Sequence, residues 1–275
     1  MSNNIFFERG QMADKPNSYL WNGDCLKLMQ DIPDKSMDAI ICDLPYGTTS
    51  IKWDSVIPFD LLWEQYNRIA KDNCPIVLFG SEPFSSALRM SNIKNFKYDW
   101  IWHKNMGGAF ALAKKQPFKR HEIISVFYRK QCTYNPQMEE YSESTKKRFK
   151  DRDNLNTKAQ QKNKTGEVFS LNRTDYKFDF KKGTYPKSVQ YFKRPHIANG
   201  KSLHPTQKPL ELLKYLVRTY TNENDWVLDN TCGSNTTGIA CYDLNRNYIG
   251  IEKDIDIYKV AFDRIKNHVA QKKLF

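Results

Sequence analysis

Short apolar segments alternate with segments of helical periodicity along most of this chain, and this alternation limits the possible folds more than any other feature. Met37 to Cys42, Ile76 to Phe79 and Tyr248 to Ile251 predict buried strands, whereas Phe59 to Ala70 and Leu210 to Tyr220 carry apolar stripes at helical spacing. Strands and helices in alternation predict an α/β domain with a parallel sheet. No apolar run approaches the roughly 20 residues of a membrane span, and the first residues lack a signal-peptide pattern, so we expect a soluble cytoplasmic protein.

The positive charge is concentrated in one part of the chain. The formal net charge is +12, and the segment from Tyr141 to Lys201 alone holds 16 basic and 6 acidic residues. From Glu143 to Lys164 this segment is poor in apolar residues, whereas aromatic residues alternate with basic ones from Phe169 onward. The pattern is typical of a nucleic-acid-binding module, in which Lys and Arg neutralise phosphates and aromatic rings stack on bases. A solvated insertion would have the same composition.

The segment from Val227 to Gly238 has the pattern of a ligand-binding loop between a strand and a helix. The strand ends in Asp229, and Glu252 lies 19 residues after Gly233 at the end of the next predicted strand. In nucleotide-binding α/β folds an acidic residue at that place accepts hydrogen bonds from ribose hydroxyls. Asn235 replaces the middle glycine that would let the backbone approach a pyrophosphate, so a cofactor with ribose but no pyrophosphate, S-adenosylmethionine, fits better. An ordinary strand–turn–helix junction has the same local pattern.

A second stretch places an acidic residue, a proline and an aromatic residue at the end of a buried strand. Asp43, Leu44, Pro45 and Tyr46 directly follow the apolar run, where α/β folds hold their reactive groups. This stretch resembles the catalytic motif of the DNA amino-methyltransferases, which has Asp, Asn or Ser, then Pro-Pro, then Tyr or Phe.

Two further blocks carry the same resemblance. His204 to Pro209 resembles the family's segment that lines the methionine part of the cofactor, and Asp229 to Thr237 resembles its cofactor loop. The order of catalytic motif, insert and cofactor loop matches the circularly permuted β-class. The resemblance implies a Rossmann-like methyltransferase sheet with helices on both faces. It also implies three parts: a catalytic half at 1–130, a target-recognition insert at 131–202 and a cofactor-binding half at 203–275.

The resemblance implies methyl transfer from S-adenosylmethionine to adenine N6 in duplex DNA, with the base flipped out of the helix. The lone pair of that amine is delocalised into the ring. Two acceptors that bind both amine hydrogens, the Asp43 carboxylate and the Leu44 backbone carbonyl, would localise the lone pair and orient it. Tyr46 would stack on the base, and Pro45 favours an extended Leu44.

The resemblance also implies the cofactor contacts. Asp24 would accept a hydrogen bond from the adenine of the cofactor, Asp229 would face its amino-acid end, and Lys208 would pair with its carboxylate. The expected cofactor-binding residues are Asp24, Cys25, His204, Thr206, Lys208, Asp229, Gly233, Ser234, Asn235, Thr236, Thr237 and Glu252. Asp24 equally fits the N-cap of a helix predicted from Cys25 to Gln30. Four residues that follow a predicted strand have two possible roles, at the border of the base pocket or in core packing and surface charge: Trp100, Trp102, His103 and Lys104.

Two positions depart from the family pattern. Leu44 stands where the first proline is usual. Because the implied role of this position belongs to its backbone carbonyl, leucine can replace proline here. Asn235 stands where the second glycine is usual; Asn tolerates a left-handed backbone, but its side chain is expected to crowd the cofactor and weaken its binding. Three alternatives stay open: a cytosine-N4 DNA methyltransferase, an RNA methyltransferase, and a catalytically silent DNA-binding homologue.

The expected partner is double-stranded DNA, and a homodimer and a restriction endonuclease partner stay open. Basic residues outside and inside the insert are expected to contact phosphates: Lys114, Lys115, Lys181, Lys182, Lys193 and Arg194. The six cysteines include no Cys-x-x-Cys pair, and no spacing of His, Cys and carboxylates indicates a metal site.

Overall fold

The structure is a computed structural model that describes residues 5–6, 17–47, 54–108, 113–149, 183–195 and 207–272. The chain divides into two compact units, one made of Met1–Asn135 with Ser188–Phe275 and the other of Pro136–Lys187. The described elements are, in chain order, β1 (Ile5–Phe6), β2 (Ser18–Asn22), α1 (Cys25–Leu28), β3 (Ala39–Cys42), α2 (Phe59–Ile69), β4 (Ile76–Gly80), α3 (Phe84–Ser91), β5 (Phe96–Gly108), β6 (Lys119–Phe127), α4 (Glu143–Phe149), β7 (Val189–Tyr191), α5 (Leu210–Tyr220), β8 (Trp226–Asp229), α6 (Thr236–Asp243), β9 (Asn247–Glu252) and α7 (Ile255–Lys272).

The described strands form one mixed sheet in the order β1-β2-β9-β8-β3-β4-β6-β5-β7. Strands β2, β9, β8, β3 and β4 run parallel to one another, whereas β6 is antiparallel to both β4 and β5. The prediction of a parallel sheet is therefore wrong at this end. The reason is that no helix lies in the described part of the chain between β5 and β6, and an antiparallel pair does not need the helical crossover that parallel neighbours require.

Helices cover both faces of the sheet, as predicted. Ile40 and Cys42 of β3 pack in one buried cluster with Leu62 of α2. The alternate residue Ile41 packs in a second cluster with Leu216 of α5 on the opposite face. Each fully buried side chain of this size contributes roughly 1.5–3 kcal/mol, so the short strand β3 is fixed between two apolar layers and its end is held firmly.

The two units differ in what they contain. In the smaller unit the described structure is α4 and a single antiparallel bridge between Glu139 and Thr184. Strand β7 belongs to the larger unit, where it pairs in parallel with β5. The expected insert at 131–202 thus includes a strand of the main sheet, and its limits as a recognition module stay a prediction. In the described residues, no helix is both long enough and apolar enough to cross a membrane.

Candidate active site

The carboxyl ends of the parallel strands meet at one edge of the sheet, and a cavity of about 330 Å³ opens there. Because residues that follow parallel strands gather at the same edge, the catalytic stretch after β3 and the cofactor loop after β8 face one space. The predicted residues that line it are Asp24, Cys25, Asp43, Leu44, Pro45, Tyr46, Arg194, Lys208, Asp229, Gly233, Ser234, Thr236, Thr237 and Glu252.

Asp43 makes a different contact with each of its carboxylate oxygens. The Tyr46 hydroxyl donates to Oδ1 at 2.6 Å, and the Lys208 ammonium forms an ion pair with Oδ2. Burial, followed by the charge of Asp43, raises the pKa of the Tyr46 hydroxyl well above its usual value, so this hydroxyl stays protonated. The backbone carbonyl of Asp43 accepts a hydrogen bond from Thr231 Oγ1 at 3.0 Å, which joins the catalytic stretch to the cofactor loop.

Lys208 lies between two carboxylates. Its ammonium is 3.3 Å from Glu122 Oε2 as well as in contact with Asp43, and only 9% of its side chain is exposed. Burial alone would lower the pKa of Lys208, but the charges of Asp43 and Glu122 outweigh it and the pKa is raised. The structure therefore places the Lys208 ammonium on the Asp43 carboxylate, and its expected contact with a cofactor carboxylate stays a prediction.

Glu122 extends this arrangement to a second lysine. Lys104 pairs with Glu122 Oε1 and lies over the Trp102 ring at 4.7 Å. Burial would raise the pKa of the Glu122 carboxyl, but Lys208 and Lys104 hold it below its usual value. Asp43, Lys208, Glu122 and Lys104 are thus four adjacent groups of alternating charge, which we call the charge chain. Alternation lets this cluster stay ionised although it is mostly withdrawn from water.

The structure distinguishes between the two roles, pocket border and core packing, that the sequence left open for Trp100 and Trp102. Trp102 lines the cavity and donates from Nε1 to the Phe192 carbonyl at 2.8 Å. Trp100 donates to the Tyr220 hydroxyl at 2.6 Å inside the core. Of the two rings, Trp102 borders the pocket and Trp100 is a core residue.

Asp229 forms the floor of the cofactor side. It is 3% exposed, and burial raises the pKa of its carboxyl to about 7 although hydrogen bonds from Thr237 and from the Thr231 amide oppose the shift. A buried carboxylate with neutral donors is poorly compensated. A cationic ligand group in the cavity would supply the missing charge, which fits the ammonium at the amino-acid end of S-adenosylmethionine.

The cofactor loop turns through two left-handed residues. Gly233 has φ +50° and Asn235 has φ +62°, the conformation that sequence analysis expected asparagine to tolerate. The Gly233 amide donates to Glu252 Oε2 at 2.9 Å, and a β-carbon built on Gly233 would meet no atom within 4 Å. The loop thus borders open space on this side, where a ligand can approach the backbone.

Asn235 does not crowd the cavity. Among the described residues that were expected to bind the cofactor, Asn235 is the one that does not line the cavity. Its side chain is buried against Gly238, where an added β-carbon would lie 2.2 Å from Asn235 Oδ1. The expected cause of weaker cofactor binding is therefore wrong, because the left-handed backbone directs this side chain into the protein.

Asp24 has the two features that the sequence left as alternatives. Its Oδ1 accepts from the Leu26 amide at 3.1 Å, so Asp24 is the N-cap of α1, and it also lines the cavity. Lys253 lies 3.2 Å from the other oxygen. The helix itself ends at Leu28, earlier than expected, and continues as a short 3₁₀ turn over Met29–Asp31.

The expected DNA-contacting residues fall into two groups. Lys114, Lys115, Lys193 and Arg194 are exposed, and Arg194 also lines the cavity. Lys181 and Lys182, together with the expected cofactor residues His204 and Thr206, lie outside the described residues.

Sequence analysis missed Glu122 and Arg264. Glu122 pairs across the sheet with Trp102, and its neighbour Ile123 pairs with Gly80 at the end of β4. An antiparallel β6 brings its first half to the edge where the parallel strands end, so an antiparallel assignment would have placed Glu122 in the site. Arg264 of α7 donates to the Ser234 carbonyl at 2.7 Å and to Thr236 Oγ1 at 2.8 Å, and nothing in the helical pattern indicates this.

Comparisons with known proteins agree on one group. The family model described as DNA methylase, N6_N4_Mtase, matches residues 37–263. The Type II methyltransferase M2.MboI of Moraxella bovis is 27% identical over 94% of this chain and 94% of its own length. The DNA adenine methyltransferase YhdJ of Escherichia coli K12 is 26% identical over 89% and 81%. The crystal structure of the M1.HpyAVI–SAM complex matches with a TM-score of 0.59 and 24% identity, covering 90% of this chain and 98% of that one, so the Rossmann-like methyltransferase fold is confirmed.

Proposed function

The chain belongs to the N6 and N4 DNA methylase family, whose members are S-adenosylmethionine-dependent DNA methyltransferases, and we propose that it methylates adenine N6 in duplex DNA. One observation carries the proposal: Asp43, Leu44 and the cofactor loop line the same cavity. A methyl donor on the loop side and an amine held by Asp43 would thus meet without a large movement of the sheet, which supports a direct transfer.

The residues that line the cavity have separate roles in the proposed methyl transfer. Asp43 and the Leu44 carbonyl accept hydrogen bonds from the two amine hydrogens, so the lone pair is directed at the methyl group. The ring centroids of Tyr46 and Phe84 lie 5.1 Å apart, so Phe84 supports the Tyr46 ring for stacking on the base. Asp229 would hold the ammonium of the cofactor and Glu252 would hold its ribose. The cofactor would supply an activated methyl group on a positive sulfonium; the bond from the amine nitrogen to the methyl forms as the sulfur–methyl bond breaks, the neutral thioether leaves, and the proton of the amine is released to water.

Adenine is favoured over cytosine by the aspartate at position 43, following the resemblance of that motif, and by the name of the relative YhdJ. The experiment is to incubate the protein with labelled S-adenosylmethionine and duplex DNA or RNA, then to digest to nucleosides. Label in N6-methyldeoxyadenosine from DNA is the expected result. Label in N4-methylcytosine or in RNA would replace the substrate in the proposal, and no label in either polymer would refute it.

We further propose that DNA phosphates lie along the exposed residues Lys193 and Arg194 and the loop with Lys114 and Lys115. Each phosphate contact contributes about one unit to the slope of log affinity against log salt. Changing Lys193 and Arg194 to Gln should therefore flatten that slope by about two units. The matched control changes Lys259 and Lys266 to Gln on α7, where we expect no change. An equal slope in both double variants would remove this surface from the proposal.

The homodimer that the resemblance makes plausible, a restriction endonuclease partner and the cytoplasmic location expected from the sequence stay predictions. Sedimentation of the protein with and without DNA tests the first of these.

A further inference from the structure

We infer that Glu122 is a positioning residue that receives the Lys208 ammonium when the target amine takes its place on Asp43. This inference rests on the proposed function, because it assigns the target amine to Asp43. It concerns the step in which the base enters the site.

Lys208 and the target amine compete for the same carboxylate. In the ligand-free molecule the Lys208 ammonium lies on Asp43 Oδ2, while the Tyr46 hydroxyl takes Oδ1. The amine gains positive charge as it is methylated, so an ammonium beside it would oppose transfer, whereas a free carboxylate would favour it. Catalysis therefore requires Lys208 to leave Asp43, and a buried ammonium needs another anion to go to.

Glu122 provides that anion at short range. Its Oε2 lies 3.3 Å from Lys208 Nζ, is buried, and makes no closer hydrogen bond with any described residue. An N–H···O hydrogen bond is about 2.9 Å long, so a shift of roughly half an ångström completes the bond to Glu122, and further rotation of the Lys208 side chain then takes the ammonium off Asp43 while Glu122 holds it. It need not cross solvent, since its side chain is 9% exposed and that of Glu122 is 15% exposed.

Lys104 keeps the receiving oxygen in place. It holds Glu122 Oε1 from the opposite side and is itself packed over the Trp102 ring. Because one oxygen is occupied, the other is left directed at Lys208. The charge chain therefore stays neutral in total while the ammonium moves along it from Asp43 to Glu122.

A double-mutant cycle tests the coupling between the two residues. We expect Glu122→Gln to lower kcat about tenfold or more and to leave both KM values within about twofold, because the amine then finds Lys208 fixed on Asp43. In the Lys208→Met background the same change should alter kcat by less than about threefold. Glu211→Gln, which breaks an exposed ion pair with Lys214, is the matched control. An equal loss in both backgrounds, or no loss in either, would overturn the inference.

A second measurement does not depend on activity. Nitrogen NMR of lysine ammonium groups detects those that exchange slowly with water, and the Lys208 signal is identified by its absence in Lys208→Met. We expect the signal to persist in Asp43→Asn, where Glu122 is the one carboxylate of the charge chain left to pair with the ammonium, and to vanish in Asp43→Asn/Glu122→Gln. Loss of the signal in Asp43→Asn alone would overturn the inference. If thermal unfolding shows that the double variant is not folded, the single variant by itself is the test.

The two measurements also separate this inference from the proposed function. If the parent protein transfers no methyl group to DNA, the proposed function fails, and the NMR result still decides whether Glu122 can hold Lys208 alone. If the parent is active but the cycle is additive, the function stands and the role of Glu122 is refuted.

Discussion

Most of the cofactor side of the cavity comes from one segment, from β8 through α6 to β9, to which the start of α1 adds Asp24 and Cys25, whereas the base side collects Asp43, Glu122 and Lys208 from three distant parts of the chain. Their electrostatics differ as well. On the cofactor side, burial raises the pKa of both Asp229 and Glu252, which are held by neutral donors. On the base side each carboxylate contacts a lysine. The first arrangement is suited to a cationic ligand that brings its own charge; the second is suited to a neutral base.

The largest expected effect lies on the base side. Asp43→Ala removes the acceptor for the target amine and should lower methyl transfer by a factor of about a thousand or more. The cofactor dissociation constant, measured by calorimetry, should stay within about threefold, because Asp43 contacts the cofactor loop through its backbone carbonyl.

Asp43→Asn is the matched control for that change. Its amide oxygen still accepts a hydrogen bond, so this variant should retain more transfer than Asp43→Ala. Equal turnover of Asp43→Ala and the parent protein would remove Asp43 from its assigned role. Equal loss of cofactor affinity in both variants would mean that the two sides of the cavity are not separable.

The cofactor side should respond to pH. Burial raises the pKa of the Asp229 carboxyl to about 7, and a cationic ligand binds the ionised form. Below that pKa the carboxyl is protonated, so cofactor affinity should fall by about five- to tenfold between about pH 7.5 and pH 6. Asp229→Asn should bind more weakly than the parent at the upper pH and remove most of this dependence. A parent affinity that is flat over the window would contradict the assigned contact.

The contribution of Asp229 to folding stability should fall as the pH rises, whereas cofactor affinity should increase. Because the pKa of Asp229 is higher in the folded protein than in the unfolded chain, its contribution is present at low pH and is lost as pH rises toward about 7. The Asp229→Asn variant should therefore gain stability relative to the parent as pH increases. Thermal unfolding of both proteins across this range measures the difference.

A smaller effect is expected behind the cofactor loop. Arg264 donates to the Ser234 carbonyl and to Thr236 Oγ1 from outside the cavity lining. Arg264→Leu should raise the cofactor dissociation constant by about three- to tenfold, since the loop loses bonds to a charged donor. Arg264→Lys keeps the charge with fewer donors and should fall between the parent and the leucine variant. An unchanged constant in both would mean that the loop holds its shape without Arg264.

The contrast between the two sides also explains what the sequence could and could not predict. Asp229, Gly233 and Glu252 are close in sequence and follow strands of clear apolar pattern, so local spacing was enough to place them together. Glu122 follows no strand end; it reaches the site because β6 is antiparallel and starts at the edge where β3 and β4 finish. Strand direction depends on pairing between distant segments, which periodicity does not encode.

The limits of the helices were predicted better than the edge strands, because a helical stripe is local in the sequence whereas strand pairing joins distant segments. The helix from Leu210 to Tyr220 was predicted with its observed limits. Strand β7 was missed because it has three residues, of which two are exposed, and no apolar run marks it. The contact between Lys208 and Asp43 was also missed, since side chains 165 positions apart meet only through the fold.

The smallest expected effect concerns Asn235, where the sequence and the structure disagree most directly. Sequence analysis expected its side chain to crowd the cofactor, so that Asn235→Gly would tighten binding. In the structure this side chain is 2% exposed and turned toward Gly238, and its Oδ1 has no hydrogen-bond partner among the described residues. We therefore expect Asn235→Gly to leave the cofactor dissociation constant within about twofold.

The stability of two variants at this position separates backbone from side chain. Glycine adopts φ near +62° without strain, so Asn235→Gly should change the free energy of unfolding little. Asn235→Ala loses the polar side chain that lets asparagine tolerate the left-handed conformation and should cost about 1 kcal/mol, with any loss of cofactor affinity tracking that strain. Tightening of several-fold in both variants would restore the crowding explanation. Tightening in neither would leave the cofactor loop unimpaired by its asparagine, which removes the reason for supposing that this chain is a silent homologue.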